Sequence, residues 1–341
     1  MTLALRQPFP PMEALSVDEI PEGIAWQYEP KWDGFRCLIF RDGAKVDLQS
    51  KSGQSLTRYF PELVAAVAVL KPKRFVLDGE IVVPHGGILL RRSFTAHSPG
   101  GEPRQRLAVE TPALLIVFDL LLADSEILAK DPLTARRKLL EGFAHKYLRG
   151  HKSIRLSPAT TRIADAKKWL KQVGATLDGI IAKRRDLPYE SGTRHGMQKI
   201  KNFRSADCVV GGFRYNEGKK TVGSLLLGLY DDRGLLNHIG FTSSLKSEEK
   251  KALTRRLEKL IAPPGFTGDK PGGPSRWSTK RSAEWQPLKP KLVVEVCYDH
   301  FSEGRFRHGT RLLRWRPDKT PRQCTMDQLR QKKADLMRLL K

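Results

Sequence analysis

Hydrophobic and polar residues alternate in two registers along the chain, and the register changes near residue 202. In the first part, short apolar runs at strand spacing stand between longer stretches at helical spacing. Trp26 to Glu29, Cys37 to Phe40, Lys45 to Gln49, Phe75 to Val83, Ala113 to Leu121, Leu177 to Arg184 and Met197 to Lys201 read as strands. Phe60 to Leu70, Leu133 to Leu148 and Ile163 to Val173 place apolar residues every three or four positions and read as helices. Arg41-Asp42-Gly43 separates two strands as a hairpin turn would. Residues 1–25 carry Pro8, Pro10 and Pro11 and read as an extended lead-in, and residues 84–105, rich in Gly, Pro, Ser and Arg, read as a mobile loop.

Beyond residue 202 the strand period dominates. Asp207 to Tyr215, Ser224 to Tyr230, Leu235 to Thr242, Leu292 to His300 and His308 to Arg316 are five strands. One helix, Ser247 to Ile261, stands among them, with Ser247 placed as N-cap and two glutamates in the first turn. Residues 262–288 read as a long loop. Five strands and one helix suggest a small Greek-key barrel of the OB type. The pattern thus predicts an α+β protein of three segments: a domain at 1–201, an OB-fold domain at 202–321 and a helical tail at 322–341.

Composition sharpens this picture. The chain of 341 residues carries 61 Lys and Arg against 37 Asp and Glu, a net charge of +24. Such an excess points to a polyanionic partner. Residues 202–341 hold 29 basic and 15 acidic residues, so the smaller part is the denser in positive charge. No apolar run is long enough to span a membrane, and the N-terminus lacks the pattern of a secretory signal. The four cysteines, Cys37, Cys208, Cys297 and Cys324, are scattered, which argues against a zinc site and for free thiols.

The candidate chemistry centres on Glu29-Pro30-Lys31-Trp32-Asp33-Gly34-Phe35-Arg36. A lysine that attacks at neutral pH must be made neutral against a pKa of about 10.4, so its site has to supply burial or a neighbouring cation. Gly34 lets backbone approach a ligand, and Arg36 offers a planar fork suited to phosphate. The bland alternative is a surface turn with solvated charges. Matching segments follow in order: Ser50-Lys51-Ser52-Gly53, Asp78-Gly79-Glu80, Phe118-Asp119-Leu120-Leu121, Asp178 to Lys183, Met197 to Lys201, and Arg314 to Lys319. Lys199 and Lys201, two apart on a strand, share a face. Glu80 and Asp178 offer hard oxygen ligands for a divalent cation.

Together these segments resemble the motifs of the covalent nucleotidyltransferases, which include DNA ligases, RNA ligases and mRNA capping enzymes. From about Pro8 to Pro321 the chain resembles the two-domain ATP-dependent DNA ligases of bacteria, relatives of the ligase module of end-joining ligases. The resemblance implies an ATP-grasp-like nucleotidyltransferase domain of antiparallel sheets and helices, followed by the five-stranded barrel. It implies that Lys31 becomes lysyl-AMP and that nicks are sealed through a DNA-adenylate. Glu29 would read the adenine edge, Glu80 would lie near the ribose and Phe118 would stack on the base. Arg36 would contact the nucleotide and, with Lys51, the DNA. Lys183 would bind the nucleotide, Lys199 and Lys201 would neutralise the α-phosphate, and Arg314, Arg316, Asp318 and Lys319 would orient pyrophosphate. Glu80 and Asp178 would hold Mg²⁺ or Mn²⁺. Two residues depart from the family's usual choice: Lys51 stands where arginine is commoner, and Asp178 stands one methylene short of glutamate.

The resemblance further implies a monomer acting on nicked duplex DNA in repair, in the bacterial cytoplasm and associated with the nucleoid, with no membrane partner. A barrel that serves both nucleotide and DNA would swing between closed and open poses. Two alternatives remain at this level. A GTP-using capping enzyme or an RNA ligase shares part of the motif set, and a non-catalytic basic DNA-binding protein would need none of Lys31, Glu80 and Asp178.

Overall fold

The structure is a computed structural model that describes residues 3–85, 88–90, 110–172, 177–272, 284–302, 304–307, 309–330 and 339–340. The chain separates into two compact units, Met1–Asn202 with Lys332–Lys341, and Phe203–Gln331.

The first unit holds strands β1 (Leu15–Val17), β2 (Trp26–Pro30), β3 (Phe35–Asp42), β4 (Lys45–Ser50), β5 (Arg74–His85), β6 (Ile88–Leu90), β7 (Leu114–Ala123), β8 (Glu126–Ile127), β9 (Ile154–Leu156), β10 (Gly179–Arg184) and β11 (Met197–Lys201). Its helices are α1 (Pro61–Ala68), α2 (Leu133–Tyr147) and α3 (Ile163–Gln172). The strands form two sheets. One runs β4-β3-β5-β7-β8, with β6 on β5 and β9 on β7; the other runs β1-β11-β10-β2. Most pairs are antiparallel, while β1 with β11 and β7 with β9 are parallel.

Alternation along the strands of the larger sheet sorts its two faces. Cys37, Ile39, Phe75, Leu77, Leu115 and Val117 pack with Leu63 and Val67 of α1 and with Leu140 and Phe143 of α2. Their odd-even partners turn the other way. Leu38, Phe40 and Val76 meet Met12, Tyr189 and Met197, and Val82, Leu114 and Ile116 meet Tyr28, Ile180 and Ile200 of the smaller sheet. The two sheets therefore face each other across a second core, and the space between them receives the polar side chains.

The second unit holds β12 (Arg204–Tyr215), β13 (Val222–Tyr230), β14 (Leu236–Thr242), α4 (Lys250–Glu258), β15 (Gln286–Pro287), β16 (Val293–Tyr298), β17 (Phe301–Ser302), β18 (Arg305–Phe306) and β19 (Arg311–Trp315). Its sheet runs β14-β13-β12-β16-β19, all antiparallel, with β15 on β12. The expected five-stranded barrel is present as this five-strand path, but the described strands do not close it with a ladder. Its edges touch at one bridge, Thr242 to Thr310, where Thr242 Oγ1 donates to the carbonyl of Thr310 at 2.9 Å.

Two helical expectations change. The helix expected at 247–261 is the shorter α4, whose N-cap position is Glu249 with no side-chain cap. Ser247 lies before it and does not cap it. The tail expected at 322–341 as a helix is, in its described part, two 3₁₀ turns, Pro321–Gln323 and Met326–Leu329. Cys324 and Leu329 pack into the core of the second unit, so these turns belong to it, whereas Leu339 and Leu340 pack against the core of the first. Residues 86–87 and 91–105 of the expected loop lie outside the described residues, whereas 84–85 extend β5 and 88–90 form β6. All four cysteines are free and buried. Burial pushes each of the four thiols above its ordinary pKa.

Candidate active site

The smaller sheet supplies one wall of the cleft and the larger sheet the other. Glu29 and Lys31 come from the end of β2, Lys183 from β10 and Lys199 from β11; Arg36, Glu80 and Phe118 come from β3, β5 and β7. The cleft is open to solvent. Met12, Pro30, Trp32, Ile181 and Met197 add apolar surface.

Lys31 follows the last residue of β2, and its backbone N–H donates to the carbonyl of Gly179 at 2.9 Å. The side chain reaches the carboxylate of Asp178, with which it forms an ion pair. A nucleophilic amine must shed a proton before it attacks, so Asp178 is the group in contact when that happens. The pKa of Lys199 is lowered, by its own burial first and then by the charges of Lys31 and Lys201. The expectation that Lys199 and Lys201 share a face holds, since they pair with Ile181 and Gly179 on β10. Only Lys199 lines the cleft.

Glu29 is buried, and both its oxygens are engaged. Oε2 accepts from Lys183 Nζ at 2.9 Å and Oε1 from Gln27 Nε2 at 2.8 Å. Arg36 donates through Nε and Nη2 to the two oxygens of Asp78, each at 2.6 Å, and its guanidinium lies 4.5 Å from the centroid of Phe118. Lys183 Nζ lies at the same distance from that ring. Phe118 is thus an aromatic wall in contact with two cations. Glu80 accepts the backbone N–H of Gly34 at 3.0 Å, and burial raises its carboxyl to about 7 despite Arg36 and Lys31 nearby. Gly34 is required here for a reason other than ligand access, because a Cβ there would collide with the carbonyl of Ile81 on β5. Lys51 stands at the rim and pairs with Glu13 at 3.0 Å.

Sequence reasoning missed the supports beneath these residues. Asp78 and Asp119 face each other on β5 and β7. Each is held by its own arginine, Arg36 for the first and Arg136 for the second, the latter pair buried and bidentate at 2.9 and 3.0 Å. Tyr189 stands between the pairs. Its hydroxyl donates to Asp78 at 2.6 Å and accepts the N–H of Met12 at 2.9 Å, while Arg136 lies over its ring. A lone tyrosine 111 positions from Asp78 gives no local signal of this role.

Arg314, Arg316, Asp318 and Lys319 lie in the second unit, on β19 and the turn after it. They form an ion-pair cluster of their own with Asp207 and Glu295. Glu80 and Asp178 fit a divalent cation that is bound together with phosphate. Both are carboxylates at or beside the cleft and carry the hard oxygens such a cation takes, and among the described residues no cluster of three or more metal-ligating side chains is preassembled.

A cleft with a reachable lysine, two carboxylates, an arginine, further lysines and an aromatic wall belongs to a protein that binds a nucleotide and handles its phosphates. Residues 11–201 match the ATP dependent DNA ligase domain and residues 218–319 the ATP dependent DNA ligase C terminal region. DNA ligase C2 of Mycolicibacterium smegmatis is 41% identical over 346 residues, covering 96% of each chain. The multifunctional non-homologous end joining DNA repair protein LigD of Mycobacterium tuberculosis is 32% identical over 311 residues, covering 87% of this chain and 37% of that one. A solved Lig E DNA ligase shares the fold with a TM-score of 0.52 at 18% identity, covering 89% of this chain and all of that one. The chain belongs to the ATP-dependent DNA ligase family, as its motifs led one to expect.

Proposed function

We propose that this ligase seals nicks between a 3′-hydroxyl and a 5′-phosphate in duplex DNA, with Lys31 as the nucleophile. The observation that carries the reading is the position of Lys31, at the end of β2 in the cleft, in contact with Asp178 and within electrostatic reach of Lys199. In the first step Lys31 Nζ attacks the α-phosphorus of ATP. A phosphoramide bond forms, the bond to pyrophosphate breaks, and Nζ gives up its proton. In the second step an oxygen of the DNA 5′-phosphate attacks the AMP phosphorus and displaces Lys31. In the third the 3′-hydroxyl attacks the 5′-phosphorus, closes the strand and releases AMP.

Such transfers are mostly positioning and charge stabilisation, and the side chains are of the right types. Phe118 offers the base a ring, Glu80 and Glu29 offer acceptors, and Lys183, Lys199 and Lys201 oppose phosphate charge. Arg36 and Lys51 serve DNA. Arg314, Arg316, Asp318 and Lys319 act on the leaving pyrophosphate. Mg²⁺ or Mn²⁺, bound with the nucleotide, would be held by Glu80 and Asp178 and would offset the charge of the phosphates. The stretch 1–201 serves as the adenylating domain, and 202–321, with the turns up to Leu329 packed into its core, serves as the OB-fold domain. The likeness to the end-joining relative supports a place in DNA repair, and the ligase acts there as a monomer in the cytoplasm.

Incubation with labelled ATP or GTP, without DNA, tests the reading. Label should pass from ATP to the wild-type chain and not to Lys31→Ala. An adduct that survives in the variant would sink the assignment.

A further inference from the structure

The charged residues around β19 are already satisfied within their own unit. Asp207 on β12 faces Glu295 on β16, and Glu295 faces Arg314 on β19. Two carboxylates set opposite each other across an antiparallel pair repel. Cations from β19 and its following turn offset them. Arg314 Nε donates to Glu295 at 2.7 Å, Arg316 Nη1 to Asp207 Oδ1 at 2.8 Å and Lys319 Nζ to Asp207 Oδ2 at 2.5 Å.

Asp207 differs from the other acids of the cluster. It spends one oxygen on each of two cations, and its side chain is 11% exposed. Its backbone is fixed as well, because its N–H donates to Gln328 Oε1 at 2.9 Å and its carbonyl accepts from Gln328 Nε2 at 3.1 Å. Asp318, by contrast, is 63% exposed and takes the opposite edge of Arg316 through Nε and Nη2. The inner side of Arg316 is therefore committed to a rigid buried partner, and its outer edge to one that water reaches.

We propose that Asp207 is a positioning residue for the adenylating step, holding Arg316 and Lys319 as a preset pair for pyrophosphate. The proposal rests on the reading that these two residues act on pyrophosphate. Arginine and lysine side chains left free would lose their rotamer freedom on meeting the ligand, and a prior anchor removes that loss. Arg316 need only open its outer edge to a phosphate while Asp207 keeps the base of the pair in place.

The test uses the full chain with substitutions Asp207→Asn, Asp207→Glu, the pair Arg316→Ala with Lys319→Ala, and the triple combination with Asp207→Asn. AMP transfer from ATP to Lys31 and sealing of a pre-adenylated nick are measured separately, together with Tm. Asp207→Asn should slow adenylation by about tenfold or more and change sealing by less than about threefold, and Asp207→Glu should recover most of the loss. Added to the Arg316 and Lys319 pair, Asp207→Asn should cost nothing further, since it acts through them. The proposal is overturned if Asp207→Asn adenylates like wild type, if both steps fall together, or if its loss persists undiminished in the pair background. Should Asp207→Asn not fold, Gln328→Ala replaces it, loosening the backbone of Asp207 but keeping its charge. It should slow adenylation by about threefold with sealing unchanged, and unchanged adenylation overturns the proposal. Normal adenylation by the pair variant brings down the pyrophosphate reading itself, and this proposal with it; a slow pair variant beside a normal Asp207→Asn removes the role of Asp207 alone.

Discussion

Asp178 is the side chain that touches Lys31, and its substitutions separate two possible uses. A carboxylate needed for charge in the cleft can move by a methylene and still act; a turn residue can be lost altogether. Asp178→Ala should therefore lower adenylation much more than Asp178→Glu, by about tenfold or more on the scale of a single electrostatic contact, and equal rates for wild type and the alanine variant would leave Asp178 without that role. His238 gives a second test, of stability. Its ring is buried, and burial, with Arg305 and Arg214 nearby, lowers its pKa to about 3. The unfolded chain binds a proton there near pH 6.5 and the folded chain does not, so stability is present above that pH and is lost as pH falls. Between pH 7 and 5.5 wild type should lose about 1 kcal/mol more than His238→Gln, read as the difference between their denaturant midpoints at each pH. Lys31, Glu80 and Asp178 could be found from sequence because each sits in a short local pattern. Tyr189, Asp207 and Gln328 could not, because Asp78, Arg316 and Asp207, the partners that give them their roles, stand 111, 109 and 121 positions away and only the fold brings them together.

The strands were legible because a sheet packed against helices on one face and a second sheet on the other reads as short unbroken apolar runs, as β7 does. What sequence could not give was the pairing, and with it the purpose of two glycines. Gly34 read as room for a ligand but makes room for the carbonyl of Ile81. Gly179, at φ +147°, stands where a Cβ would strike the carbonyl of Ile200 on β11, and its own carbonyl holds the N–H of Lys31. Gly179→Ala should cost about 1–3 kcal/mol of stability, in the range of backbone strain. It should also slow adenylation more than it slows sealing of pre-adenylated DNA, because the shifted edge carries Lys31. A variant with wild-type Tm would show that β10 and β11 separate freely at this point. The helix at 247–261 was read too widely, where charge and occasional leucines imitate helical spacing but α4 covers Lys250–Glu258, and among the described residues of 322–330 short turns stand in place of a helix.

Across the whole chain, the net charge of +24 argues for a strong electrostatic share in DNA binding. Affinity for nicked duplex should fall by at least about tenfold between 50 and 200 mM salt, and a flat response in a fluorescence titration would contradict that share. Self-adenylation, which involves a small ligand, should respond far less. The buried thiols add something different. Cys37 lies in the first unit, and Cys208, Cys297 and Cys324 lie in the second. Raised pKa and burial together keep them unreactive while their unit is folded. Native sulfur atoms thus act as separate clocks for the opening of each unit: under native conditions, the rate at which a thiol reagent labels Cys37 times one, and the rate at which it labels the other three times the second.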